Sequence, residues 1–312
     1  MATKANHHFI PQLYLRGFAN GTKRQAKVFV FDQNNKKSFT TLVRNVGSKR
    51  HFNRVIVEGM DPNALEDCYA EIEGHLAVHL RDVIRLKMFP SQDHFNSIMN
   101  LIANVSLRNP RLRGVLETYH KDIVEHVAHL TFTNKGIWEA QTKNMKADGY
   151  AINEDLTFEE MKEFHEKGEY ELIIDQTHLI GLELEMLSPV INCLAKRNWC
   201  FVSAPLDSQF ICSDDPVVLS WGNPEREKSF YSPGHCLPET LVFFPMCSNL
   251  MLIGSFELLP EETIYRDDQV IAANTHIAKY SANQIYARDG GFKVNLQNDE
   301  IALGSELHWR IP

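Results

Sequence analysis

Asp214 and Asp215 sit between Cys212-Ser213 and Pro216, in a short polar break between two apolar runs. Two adjacent carboxylates at a strand end, with proline restricting the backbone of Asp215, offer hard oxygen ligands to a divalent cation. The same pattern also suits a corner in which Asp214 closes a turn. Near the start, His7 and His8 precede Gln12. Imidazole ligates metals or moves protons near neutral pH, and a ring hydrogen-bonded to backbone is the structural alternative. Glu66, Glu71 and Glu73 fall within one helical stretch. Glu66 and Glu73 share a face, whereas Glu71 is rotated about 140° from Glu66 at the helical 100° per residue. A carboxylate on the buried edge of a helix binds a cation or orients a histidine; one on the outer face is merely solvated. Arg108, Arg111 and Arg113 surround Asn109-Pro110. Guanidinium forks suit phosphate, or an acidic neighbour inside the fold.

Together these residues support one enzymatic expectation, a metal-assisted phosphodiesterase acting on RNA or DNA. Asp214, Asp215 and a helix carboxylate (Glu66 or Glu71) would bind Mg²⁺ or Mn²⁺. His8 would activate or deliver a water and Gln12 would orient it, with Asp214 alongside. Arg16, Arg108 and Arg111 would hold phosphate. The expectation requires both ends of the chain to share a pocket. Two alternatives stand beside it. One is a non-enzymatic module that binds nucleic acid or a protein, with structural His and Asp residues. The other is hydrolysis of a small molecule beneath the Gly222–Glu239 loop.

The elements that must position these residues fall into three blocks. Alternating runs at Ala26–Asp32, Ser38–Val43 and Asn53–Val57 predict strands, the first two joined by a turn at 33–36. From Asp61-Pro62 the period becomes helical, with Asp61 as N-cap, and an apolar stripe runs from Leu65 to Met88. Further helices are expected from a Ser91 cap to Leu107, from Arg111 to Leu130, from a Thr157 capping box, and over Tyr170–Lys196 with a break or kink at Pro189. Residues 134–155 predict a connector. Strands return at 199–203, 209–212, 216–220, 241–245, 250–256 and 284–287, with a helix over 267–280. The order β–α–β predicts one α+β domain over 1–312: a basic β segment (1–58), a helical region (61–197) and a β-rich segment (198–312), with the terminal β parts meeting.

Composition bounds this reading. The 312 residues are 44% hydrophobic and 23% charged, ordinary for a chain with a sizeable core. The net charge of −8 conceals an asymmetry: residues 1–54 carry +10 and the remainder −18. The basic segment suits a nucleic-acid backbone, or the acidic helices of the same chain. No sufficiently long apolar run predicts a membrane span, and no secretory signal is visible. Six scattered cysteines without a CxxC pair predict reduced thiols, neither a disulfide framework nor a thiolate zinc site, and a cytoplasmic setting. GxGxxG, P-loop, HExxH and GxSxG motifs are absent.

The opening His7-His8-Phe9-Ile10-Pro11-Gln12-x-Tyr14-Leu15-Arg16-x-Phe18 resembles that of an uncharacterised bacterial family, number 4238 among the domains of unknown function. Arg108-Asn109-Pro110-Arg111, Cys212–Val218, Phe244–Ser248 and Asn274 follow in the family's order. The resemblance covers about residues 6–288. Asp215 stands where the family has Asn, Asn109 where it has Thr, and Met246 where it has Leu. The resemblance implies kinship and fold and carries no established activity.

Overall fold

The computed structural model describes residues 5–21, 25–228, 230–296 and 300–310; Lys4, Lys23 and Arg24 of the basic segment lie outside them. In chain order the elements are β1 (Asn6–His8), α1 (Gln12–Leu15), β2 (Lys27–Asp32), β3 (Lys37–Leu42), β4 (Ser48–Arg50), α2 (Ala64–Leu86), α3 (Gln92–Leu107), α4 (Pro110–Thr133), α5 (Lys135–Ala147), α6 (Phe158–Lys167), α7 (Gln176–Ala195), β5 (Asn198–Ser203), β6 (Cys212–Ser213), β7 (Val218–Trp221), β8 (Thr240–Cys247), β9 (Leu250–Ser255), β10 (Glu262–Ile264), α8 (Asp267–Tyr280), β11 (Gln284–Ala287), β12 (Lys293–Asn295), β13 (Ile301–Leu303) and α9 (Leu307–Arg310). The fold is α+β. Contacts divide the chain into two compact units, Met1–Leu112 with Ile180–Pro312, and Arg113–Leu179. This division is finer than the single domain drawn from the sequence.

The larger unit holds the sheets, and in it the chain's two ends meet. One sheet has the order β3-β2-β11-β6, so N-terminal strands pair directly with C-terminal ones, Phe31 opposite Ile285 and Val30 opposite Tyr286. A second sheet, β10-β5-β9-β8-β7, is antiparallel except for the parallel edge pair β10–β5. In β2, Val28, Val30 and Phe31 are fully buried and Lys27 is exposed, while β5 and β9 of the second sheet are buried along almost their whole length. The smaller unit is helical. Thr157 and Glu160 close the expected capping box that opens α6.

The N-terminal segment is held by burial. Ile10, Tyr14, Leu15 and Phe18 are fully enclosed. Tyr14 stacks on Phe244 with centroids 5.1 Å apart, and its hydroxyl donates to the Pro245 carbonyl at 2.6 Å. Gly17 lies so close to β8 that a Cβ there would stand 2.8 Å from the Met246 carbonyl and 2.9 Å from Cys247 Cβ.

Several sequence expectations require correction. Helix α2 begins at Ala64, because Asp61 Oδ1 accepts the Asn63 N–H at 2.8 Å and forms a turn before the helix. Residues 53–57 form no strand; the pairing with β1 is made by β4 instead. Residues 135–147 form α5, with Asn134 accepting the Ile137 N–H at 3.2 Å. This helix buries no residue fully. Helix α7 runs through Pro189 without ending. By length and composition alone α7 is apolar enough to cross a membrane, a segment that the sequence reading did not single out. Its C-terminal part places Val190 and Leu194 in the core. Finally, Cys193 and Cys236 form a disulfide, against the expectation of reduced thiols, while Cys68, Cys200, Cys212 and Cys247 are free. The bridged pair is 43 residues apart, with no spacing signature that a sequence could reveal.

The contact at Gly17 gives a direct check. Gly17→Ala must push backbone away from backbone, and we expect a loss of about 1–3 kcal/mol in urea denaturation, with the midpoint falling and the slope unchanged.

Candidate functional site

Strand β1 pairs antiparallel with β4, Asn6 opposite Arg50 and His8 opposite Ser48, so the two histidines face opposite sides. His7 is fully buried, and its Nδ1 accepts the Asn53 backbone N–H at 2.9 Å. Asn53 Nδ2 in turn donates to Glu66 Oε2 at 2.7 Å. The doublet therefore divides its labour: His7 fixes a hydrogen-bond chain that ends on Glu66, and His8 remains available. Burial holds the His8 imidazole below its ordinary range; Glu66 and a hydrogen bond to the Arg44 backbone oppose this, and Arg108 and His7 reinforce it. At neutral pH the His8 ring is neutral. Its Nε2 is buried with no hydrogen-bond partner among the described residues.

Glu73 lies two turns beyond Glu66 on the same face of α2. Arg108, at the C-terminal end of α3, places Nη2 3.5 Å from Glu73 Oε1, and its guanidinium lies 3.9 Å over the Tyr69 ring. Arg108 is only 3% exposed, yet its Nε and Nη1 have no partner among the described residues. A buried guanidinium with two unused donor nitrogens carries a real desolvation cost, and an anion would offset it. Burial pushes the Glu73 carboxyl up; Arg108 and Arg16 oppose that and Glu66 adds to it. Arg108 and Glu73 form one end of a groove of about 470 Å³ between α2 and α3, whose lining includes Tyr69, Ile72, Leu76 and Leu101. Pro11 also lines the groove, and half-buried Gln12 follows it at the start of α1.

Of the residues singled out from the sequence, His8, Glu66, Arg16 and Arg108 thus act on one electrostatic cluster. Gln12 follows Pro11 at the groove, and the remaining residues are placed elsewhere. Asp214 is a structural corner: its carboxylate accepts the N–H groups of Ala282 (2.8 Å), Asn283 (2.8 Å) and Gln284 (2.9 Å). Asp215 pairs with Arg111 at 3.3 Å, and Arg111 also donates to the Tyr280 carbonyl at 2.9 Å. Glu71 is exposed, as its rotation away from Glu66 implies. Among the described residues no three His, Cys, Asp or Glu side chains are grouped to hold a metal ion. The donor set expected for Mg²⁺ or Mn²⁺ is therefore not assembled, because the Asp214 oxygens are spent on backbone and Glu71 points away. Glu73 and Asn53 are the participants that the sequence reading left out of the site. The seven-residue spacing of Glu66 and Glu73 was the available signal for the first; Asn53 had none.

The family landmarks divide along the same line. Asn274 is fully used in the core, accepting the Ile211 N–H and donating to the carbonyls of Gln209 and Lys293. Asn109 caps α4 by accepting the Leu112 N–H at 2.8 Å. The opening motif and Arg108 build the cluster described above. Residues 6–291 match the family described as "Protein of unknown function (DUF4238)". The chain belongs to that family. No curated protein and no solved structure matches it. Within this family member, then, the functional argument rests on the site itself.

Two measurements follow from these environments. In a proton NMR titration, His8 should titrate below the ordinary histidine value; Glu66→Gln should lower it further and Arg108→Gln should raise it, the signs set by the charges removed. Asp215 is pushed up by burial to about 6 from an ordinary 3.8 despite Arg111. A carboxyl raised in the folded state contributes stability below about pH 4 that is lost as pH rises through about 6. Wild type should therefore lose up to about 3 kcal/mol relative to Asp215→Asn between pH 4 and 7, read by urea denaturation at each pH.

Proposed function

We propose that the His8–Glu73–Arg108 cluster cleaves phosphodiester bonds by acid–base catalysis, with RNA as the substrate. The observation that carries this reading is the set of buried, unpartnered atoms, His8 Nε2 with Arg108 Nε and Nη1, in one electrostatic cluster whose Arg108 and Glu73 line an open groove. Neutral His8 takes the proton of the ribose 2′-hydroxyl, whose oxygen attacks phosphorus. The bond from phosphorus to the 5′-oxygen breaks, and Glu73, kept protonated longer than an exposed glutamate by its burial, supplies a proton to the leaving oxygen. Arg108 neutralises the negative charge on the non-bridging oxygens. Asn53, by holding Glu66 beside His8, acts as a positioning residue. No step is routed through a metal, since the donor geometry does not supply one.

The exposed cations of the N-terminal segment, among them Arg16, Lys27, Lys49 and Arg50, provide a backbone-binding surface for the polynucleotide. They also favour the second reading, a module that binds nucleic acid without cleaving it. On that reading His7 and Asp214 keep the structural duties already described, and His8 joins them.

The test uses a fluorescently labelled single-stranded RNA, the same sequence as DNA, and the full chain with EDTA present. RNA should be cut to 2′,3′-cyclic phosphate ends, and DNA, which lacks the internal nucleophile, should remain intact. His8→Ala and Arg108→Gln should each lower kcat/KM by about 10²–10³-fold while circular dichroism is unchanged. RNA bound but uncut would establish the binding module instead. RNA neither bound nor cut would dispose of both readings.

A further inference from the structure

The Cys193–Cys236 disulfide joins the C-terminal end of α7 to the loop that leads into β8. Around it, residues 234–240 are tied to two places. Arg197 Nη2 donates to the His235 carbonyl at 2.7 Å, and Thr240 Oγ1 donates to the Leu237 carbonyl at 2.6 Å. On the other side, the His235 ring Nε2 lies 2.7 Å from Ser106 Oγ on α3. Ser106 is two residues before Arg108, and its carbonyl accepts Asn109 Nδ2 at 2.6 Å in the turn that orients Arg108. Burial and the neighbouring Arg197 push His235 down to about 4, so the ring is neutral at ordinary pH. A physical path thus runs from the bridge through His235 and Ser106 to the guanidinium of the candidate site.

We propose that Cys193–Cys236 is a reversible thiol–disulfide site, and that its reduction by a dithiol releases the His235 loop and loosens Arg108. Cys236 is exposed and Cys193 only half-buried, so a thiolate reaches the Cys236 sulfur from solvent. Attack there forms a mixed disulfide and expels the Cys193 thiolate, which takes up a proton. The second thiol of the reductant then displaces the Cys236 thiolate, which is protonated in turn. Two electrons and two protons pass to the protein, and the reductant leaves as a disulfide. The bridge closes a long segment that includes α7's end, β5 and β7 of the second sheet and β6 of the first, each hydrogen-bonded to a strand outside the segment. Opening it therefore frees the loop rather than the sheet. The consequence for RNA cleavage rests on the function proposed above; the mechanical coupling does not.

The experiment compares the protein purified without reductant, the same sample after dithiothreitol, and the double variant C193S/C236S. Thiol titration under denaturant should find four free cysteines of six before reduction and six after. Amide hydrogen exchange should quicken about tenfold at residues 104–109 and 230–240 in the reduced and variant proteins, and stay unchanged in β2, as expected for local opening. Cleavage of RNA should fall in parallel. Six free thiols without reductant would overturn the proposal, as would faster exchange confined to 230–240. Quickened exchange in β2 as well would make the bridge a global staple and would equally overturn it. If exchange responds as expected but RNA is cut in neither state, the coupling stands and the phosphodiester reading fails.

Discussion

Burial of Phe9, Ile10, Tyr14, Leu15 and Phe18 is the constraint on which the rest of the molecule depends. An N-terminal segment is ordinarily loose, since it has few contacts to offset its entropy. Here Tyr14 and Phe18 are sunk against β8, Gly17 permits backbone to lie on backbone, and β2 enters the same sheet as β11. Those contacts fix β1, and β1 in turn fixes which histidine faces the interior. Without the plug neither the His7–Asn53–Glu66 chain nor the exposure of His8 to Arg108 would have a defined geometry.

Within the cluster, His8 and Arg108 keep buried atoms that no neighbour satisfies. His8 feels Glu66 and Arg108 with opposite sign, and Glu73 feels Arg108 and Glu66 likewise. Arg108 meets Glu73 at 3.5 Å with one nitrogen and leaves two others unused. Compare Asp214, whose oxygens are saturated by three backbone N–H groups. Buried polar groups in this fold are generally paired; His8 and Arg108 are among the exceptions, and Arg108 in addition lines a groove. A group left open in the lining of a groove is placed to receive a ligand, whereas groups tied to backbone hold the fold.

Much of the fold was legible because local chemistry and tertiary structure agree. The Ser91 cap of α3, the Thr157 capping box of α6, helix α8 and strand β11 lie where their residues indicate. The failures have physical causes. Helix α5 buries no residue fully, and Asp61 forms its own turn before α2. The disulfide joins residues that only the folded chain brings together. At the site, sequence drew attention to both the histidine and aspartate doublets, since type and adjacency are visible in one dimension. It could not tell an aspartate with free oxygens from one filled by backbone, because the donors to Asp214 come from residues 282–284. Glu73 was within reach, as the helical period sets it on the face of Glu66; its worth became visible only once Arg108 lay beside it.

The central claim is that the open valences of His8 and Arg108 receive a phosphodiester. It is tested most directly by NMR of the ¹⁵N-labelled chain with a dinucleotide carrying a 2′-deoxy sugar at the scissile position, which binds without being cut. The account predicts a shift of the Arg108 Nε–H resonance together with the His8 ring signals, while the Ala282–Gln284 amides that hold Asp214 remain in place. A ligand that moves the Asp214 corner, or leaves Arg108 and His8 untouched, would contradict it.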